Sequence, residues 1–409
     1  MSASATFVIV GGGLAGAKAA EALRDNDFDG RIVLFADEEH LPYERPPLSK
    51  EFLAGTKSLN DFTVHPAEWY REHQVDLRLG TRVSSLHPGA HAVALADGST
   101  QGYDKLLLAT GCSPRRPPIP GSDADGVYYL RSFDDAVLLK SVLSEGSSLA
   151  VVGAGWIGME VAASARGRGL TVTVIESAEL PLLAALGREA AEVFARLHRD
   201  HGVDLRLNAT VEQILTEGAT ATGLRLADGS SVKADAVLVA VGAAPNIGLA
   251  DQAGLFIGDG GVLTDSSLCC SDRDIFAVAD IAAAEHPFYR TRIRSEHWAN
   301  ALKAPAVAAA AMLGRPAVYD ELPYFFTDQY DLGMEYVGYA PAYQRVVFRG
   351  DLARREFMAF WLDADNRVLA GMNVNVWDVL DDVKALIRSR APADPTRLAD
   401  TNVPLGKLG

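Results

Sequence analysis

The sequence predicts a doubly wound α/β protein in which two interleaved parallel-sheet domains precede a C-terminal α+β domain. Three observations predict it. The first is a pair of G-x-G-x-x-G runs, Gly11, Gly13 and Gly16 and again Gly153, Gly155 and Gly158, each entered from an apolar run and followed by helical spacing. The second is an echo at the end of each copy, where the buried runs YDKLLLATG and ADAVLVAVG close on Gly111 and Gly242. The third is a change beyond about residue 320 to aromatic-rich alternating segments such as PYFFTDQYDLGMEYVGY and EFMAFWLDADNRVLAGMNVN, the pattern of antiparallel hairpins.

In the first copy, TFVIV reads as a strand, LAGAKAAEALRD as a helix and RIVLFAD as the returning strand, which together make a βαβ unit. Glycines at this spacing let a backbone approach a pyrophosphate, whose charge is favoured at a helix N-terminus. Leu14 and Ala15 lie between those glycines, and Thr110 and Gly111 at the end of the closing strand, so all four are candidate contacts. Asp37 stands about 20 residues beyond the last glycine, where a carboxylate can accept from an adenosine ribose 2′-OH.

The second copy repeats the plan with LAVVGAG, WIGMEVAASARGRG and TVTVIES, placing Trp156 and Ile157 at the helix start and Glu176 at the ribose position. A carboxylate there repels a 2′-phosphate, and no arginine follows before Arg188, so NADH is favoured over NADPH. Two Rossmann-like dinucleotide-binding domains in one chain suit a flavin and a nicotinamide arranged for hydride transfer. The Pro-rich SPRRPPIPG and the run GAAPN mark the boundaries. They give a flavin-binding domain over 1–113 and 242–320, an inserted NAD-binding domain over 114–241, and an interface-forming, dimerisation-like α+β domain over 321–409 that includes the helix VLDDVKALIRS.

Composition narrows the partners. With 38 Lys and Arg against 53 Asp and Glu, the net charge of −15 opposes nucleic acid, and no apolar run approaches the roughly 18 residues that span a bilayer. The N-terminus enters a strand without a signal-peptide layout, so a cytoplasmic location is expected. Cys112, Cys269 and Cys270 make no C-x-x-C, and no metal site is expected. His40, His65, His73, His198, His201 and His286 are scattered without ligand spacing and are expected at the surface or in caps.

The run LPYERPPLSKEFLAG at 41–55, with the two glycine motifs, DIFAVAD, SEHWANA and PYFFTDQYDLGMEYVGY, resembles the FAD-dependent, NADH-using ferredoxin reductases of the putidaredoxin reductase and oxygenase-coupled type. That group lies within the glutathione-reductase-like superfamily, and the resemblance spans essentially the whole chain. It implies that Lys50 approaches the flavin ring, that Arg45 reaches the FAD phosphates, and that Val83 and Arg131 lie at the FAD. It also implies Asp280 on the ribitol side and Trp298 beside the isoalloxazine. The family's usual A-x-G-D stands here as Ala277-Val278-Ala279-Asp280. Glu160 is expected in the first turn of the second fingerprint helix, and the resemblance pairs it with Lys50 as a catalytic charge pair near flavin N5. The first copy has Lys18 at that position, so the helix itself does not require an acid.

Disulfide reductases of this architecture carry a C-x-x-x-x-C pair after the first βαβ unit, whereas this chain has YERPPLSK and no sulfur. The implied route is hydride from NADH to FAD and then two single electrons to a [2Fe-2S] ferredoxin, by a monomer or homodimer. An NADH oxidase or diaphorase using oxygen or quinone, and a non-enzymatic relative of the fold, are the alternatives. Because ferredoxins of this class are acidic, docking is expected at Arg290, Arg292, Arg294 and Arg315, or at Lys384, Arg388 and Arg390.

Overall fold

A computed structural model describes residues 5–144 and 146–408, and the chain divides into two compact units. The outermost positions of the two end domains expected above, 1–4 and 409, lie outside the described residues. The first unit takes the chain up to Glu44, then Leu59–Ser113 and Ala243–Pro323; the second takes Arg45–Ser58, Pro114–Gly242 and the chain from Tyr324. The PPLSK run thus groups with the second glycine motif rather than the first.

The first unit is built on five parallel strands in the order Ile275–Ala277, Lys105–Leu108, Thr6–Val10, Arg31–Phe35, Val75–Arg78. Alternation along Thr6–Val10 sends Phe7 and Ile9 into one core and Val8 and Val10 into the other, which is why a continuous apolar run is needed there. The first core is closed by the fingerprint helix Leu14–Asp25 and by Trp298–Met312. Their contact is made of alanines, among them Ala15, Ala19, Ala304 and Ala308, whose small side chains let the helices approach closely. Across the sheet an antiparallel layer of Val83–His87, Ala92–Leu95 and Thr100–Gly102 supplies Val83, Leu86, Val93 and Leu95.

The second unit repeats the parallel sheet in the order Asp204–Arg206, Thr171–Ile175, Ser148–Val152, Ala236–Val239, Val127–Tyr128. It also holds a three-stranded antiparallel sheet, Val211–Glu217, Thr220–Leu226 and Ser231–Lys233, and the five-stranded antiparallel one expected from the hairpin pattern, ordered Tyr324–Gln329, Leu332–Gly338, Val368–Val374, Glu356–Leu362, Arg345–Asp351, and followed by the helix Leu380–Ser389. Trp361 of that sheet is fully buried and donates its indole N–H to the carbonyl of Leu186 at 3.1 Å. Among the described residues no helix is long and apolar enough to cross a membrane, and no cluster of His, Cys, Asp and Glu could hold a metal ion.

Candidate active site

The two glycine motifs fold alike. Gly11 has φ +124°, and a Cβ there would lie 2.1 Å from the Ala109 carbonyl oxygen; a Cβ on Gly16 would lie 2.0 Å from the Gly11 oxygen. Gly153 and Gly158 repeat these approaches at 2.5 and 2.2 Å. The middle glycines differ in kind, because nothing lies within 4 Å of the Cβ position at either Gly13 or Gly155. Each is the extended N-cap of its helix with no side-chain cap, so the first backbone N–H groups of both helices face open space. Leu14 and Ala15 are buried behind the first glycine loop, while Trp156 packs its ring 5.0 Å from that of Phe325 and Ile157 is exposed.

Strand register aligns the two copies. Val10 pairs with Phe35 and Val152 with Ile175, and the first glycine of each motif donates to the second member of the pair. Ala36 therefore occupies the station of Glu176. Glu176 accepts the Ala154 N–H at 2.7 Å and the Ala178 N–H at 2.9 Å, which fixes its carboxylate beside the glycine loop. Asp37 lies one place further on, exposed, with Arg82 at 3.3 Å, and Glu38 accepts from the Tyr43 hydroxyl at 2.6 Å.

At the closing strand of the first copy, Asn246 donates to the Thr110 carbonyl at 2.9 Å and to the Gly111 carbonyl at 2.8 Å, while its own carbonyl accepts from the Thr110 hydroxyl at 2.7 Å. The sequence marked Asn246 only as part of a boundary. In the second copy the Gly242 carbonyl accepts from Arg115 N–H at 2.9 Å. Val83 and Asp280 are buried in the first unit, and the Trp298 indole N–H donates to Glu44 of the YERPP run at 3.1 Å, a residue given no role in the sequence reading.

Ala279 holds φ +59° where the family pattern has glycine. An L-residue in that conformation is strained by about 1–2 kcal/mol. Ala279→Gly is expected to raise stability by about 0.5–1 kcal/mol, read as the shift of the urea midpoint at constant slope. A loss of stability would show that the Ala279 methyl contributes more packing than strain.

The second unit brings Arg45 and Arg131 together, since the Arg45 guanidinium donates to the Arg131 carbonyl. Arg131 is itself held by the capping box of the next helix, its N–H donating to Asp135 at 3.0 Å. Lys50 and Glu160 meet at 3.3 Å, with side chains only 9% and 8% exposed. The Glu160 carboxylate also accepts from the hydroxyls of Ser49 and, at 2.7 Å, of Thr327, and the Lys50 ammonium lies 5.2 Å from the centre of the Phe326 ring. Glu160 is not in the first turn as expected. It is the fifth helical residue, beyond reach of the terminal N–H groups, so the partners of its carboxylate are Lys50 and the hydroxyls rather than the helix end.

His198 and His286 correct another expectation, for both are buried rather than at the surface or in caps. His198 falls on the stripe Ala191, Phe194, Ala195 of helix Arg188–Asp200, and that periodicity was the signal available in the sequence. Of the basic residues expected to dock a partner, Arg292 is paired with Glu285 and Arg294 with Glu296, and Arg315 donates to Asn26; Arg290, Arg388 and Arg390 are exposed.

Residues 5–304 match the pyridine nucleotide-disulphide oxidoreductase family, and residues 324–409 match the reductase C-terminal family. The chain belongs to the pyridine nucleotide-disulphide oxidoreductase family. It is 40% identical over 399 residues to the ferredoxin--NAD(+) reductase component of the anthranilate 1,2-dioxygenase system of Burkholderia cepacia, covering 98% of each chain. It is 34% identical to putidaredoxin reductase of Pseudomonas putida, covering 100% of this chain and 97% of that one. The crystal structure of the covalent putidaredoxin reductase–putidaredoxin complex superposes with a TM-score of 0.95 at 34% identity, covering 100% of this chain and 98% of that one. As a member of the family the chain is an oxidoreductase with FAD and NADH as cofactors. The residues fit such groups, because each fingerprint helix presents unpartnered N–H donors to a space that a Cβ at Gly13 or Gly155 would begin to fill.

Proposed function

We propose that the chain is the NADH-dependent ferredoxin reductase of an oxygenase system. FAD, when bound, supplies the ability to take a hydride from NADH as a pair of electrons and release them singly. One NADH then reduces two [2Fe-2S] ferredoxins, leaving NAD⁺ and one proton. The observation that carries the reading is that two phosphate cradles stand in one chain while the segment after the first βαβ unit, YERPPLSK, holds no thiol.

The chain's own residues bind and orient. The helix at Gly13 takes the FAD pyrophosphate within a flavin-binding part of 1–113 and 242–320, with Asp37, Val83, Thr110, Gly111, Asp280 and Trp298 as further contacts. The helix at Gly155 takes that of NADH within 114–241, with Glu176 on the ribose. Arg45 and Arg131 offer positive charge to phosphate. Lys50 and Glu160 are the pair assigned to hydride transfer, Glu160 lying one turn along the helix whose N-terminus holds the NADH phosphates. We further assign the chain to the cytoplasm, where NADH is regenerated.

Anaerobic NADH is expected to bleach the flavin of the purified protein, and added ferredoxin to restore its colour in two one-electron steps. Fast aerobic NADH consumption without ferredoxin would instead make the protein an oxidase. Burial and neighbouring aspartates push the Cys269 and Cys270 thiols up, away from the reactive thiolate, and Cys112 is buried. Replacing all three by serine or alanine is therefore expected to leave ferredoxin reduction within about twofold of wild type. A folded, FAD-loaded triple variant that takes up hydride but passes no electrons would reveal a thiol relay.

A further inference from the structure

Beyond the Thr327 hydroxyl, the T-D-Q-Y run at 327–330 has been given no role in the reaction, yet it lines up behind Glu160. Thr327 and Gln329 are two apart on an edge strand and share one face, where both are fully buried. The Thr327 hydroxyl reaches Glu160 Oε1 at 2.7 Å, and its oxygen meets Gln329 Nε2 at 3.2 Å. Gln329 Oε1 meets His198 Nε2 at 2.8 Å, and His198 Nδ1 faces the Tyr330 hydroxyl at 3.4 Å.

With an ionised carboxylate at one end and a neutral imidazole at the other, a single assignment of protons satisfies every member. An ionised Glu160 can only accept, so Thr327 must donate to it and accept from the Gln329 amide. Gln329 then presents its carbonyl to His198, which must carry its proton on Nε2 and accept at Nδ1 from Tyr330. Every donor in the series points toward the carboxylate, an arrangement in which each bond polarises the next.

We propose that Thr327, Gln329 and His198 are positioning residues that hold the Glu160 carboxylate aimed at Lys50, and so set the rate of hydride transfer. The inference rests on the reductase reading and deepens it. The charged and titratable groups around the series are Lys50 at one end, with Asp328 acting on both Lys50 and Glu160, and Tyr330, with His201 stacked on its ring at 3.7 Å, at the other; Arg166 donates to the His201 carbonyl at 2.9 Å. Burial pulls the His198 pKa down to about 4, against the hydrogen bond it donates to Gln329, which keeps the imidazole neutral and its Nδ1 able to accept near pH 7.

The test uses the FAD-loaded enzyme. In anaerobic stopped-flow, Thr327→Val and Gln329→Met are expected to slow reduction by NADH about tenfold at unchanged NADH affinity, while Thr327→Ser stays within about twofold. In a Glu160→Leu background Gln329→Met should cost nothing further, because the series then has no carboxylate to act on. Separately, ¹⁵N NMR of histidine-labelled oxidised wild type should show His198 as the neutral Nε2–H tautomer at pH 7. Losses that multiply in the Glu160→Leu background, a Thr327→Ser variant as slow as Thr327→Val, or a His198 that is protonated or carries its proton on Nδ1 would each overturn the proposal. If Gln329→Met does not fold, the wild-type tautomer decides. If NADH fails to reduce the wild-type enzyme, the reductase reading falls, and the tautomer still tests the hydrogen-bond series.

Discussion

Lys50→Met is expected to slow flavin reduction by NADH at least about a hundredfold, near 2.7 kcal/mol in barrier. It should also lower the unfolding free energy by about 3 kcal/mol, because it leaves a carboxylate buried without its counter-charge. Glu160 cannot escape to water, since its side chain is 8% exposed and two hydroxyls hold its oxygens. Removing both charges separates the two effects. The double variant Lys50→Met, Glu160→Leu should recover most of the stability in urea melts, as replacing a buried pair by apolar groups commonly does, but not the rate. Reduction of Lys50→Met at the wild-type rate would remove the pair from the chemistry and leave it a structural bridge within the second unit.

Next in size is coenzyme selectivity. NADH should exceed NADPH by at least about tenfold in kcat/KM, a difference of about 1.4 kcal/mol. Both oxygens of Glu176 are pinned by backbone N–H groups at 2.7 and 2.9 Å, so the carboxylate stands fixed beside the second glycine loop and cannot turn away from an added phosphate. The next arginine along the chain, Arg188, is committed to Glu179. Glu176→Gln keeps an acceptor for the ribose and drops the charge, so it should narrow the preference mainly by lowering the KM for NADPH. Equal efficiency of the wild type with both coenzymes would sink the assignment.

The glycine loops were legible because their constraint is local. A Cβ two ångströms from a carbonyl is intolerable whatever the rest of the chain does, so glycine spacing after a buried strand announces the turn and the helix at once. The hairpins of the C-terminal sheet were legible through period-two alternation, and the helix Leu380–Ser389 through its apolar stripe. The helix Trp298–Met312 was not, since Pro305 within it argues against a helix while alanine packing against Leu14–Asp25 sustains it.

By itself, then, the sequence determined what short-range sterics and periodicity can encode: two dinucleotide cradles, their strands, and a carboxylate at the end of the returning strand in the second copy. It could not determine which residue of the first copy stands at that carboxylate's station. Pairing Val10 with Phe35 puts Ala36 there, and a one-residue difference in register is invisible to spacing counted along the chain. Nor could it assemble the surroundings of Glu160. Lys50, Glu160, His198, Thr327 and Gln329 come from four separate stretches, and the apolar stripe on which His198 falls signals its burial without naming Gln329 as its partner. Only the tertiary structure made that polar cluster, because burial removes water as a partner and obliges each group to find its hydrogen bond in a neighbour distant in sequence.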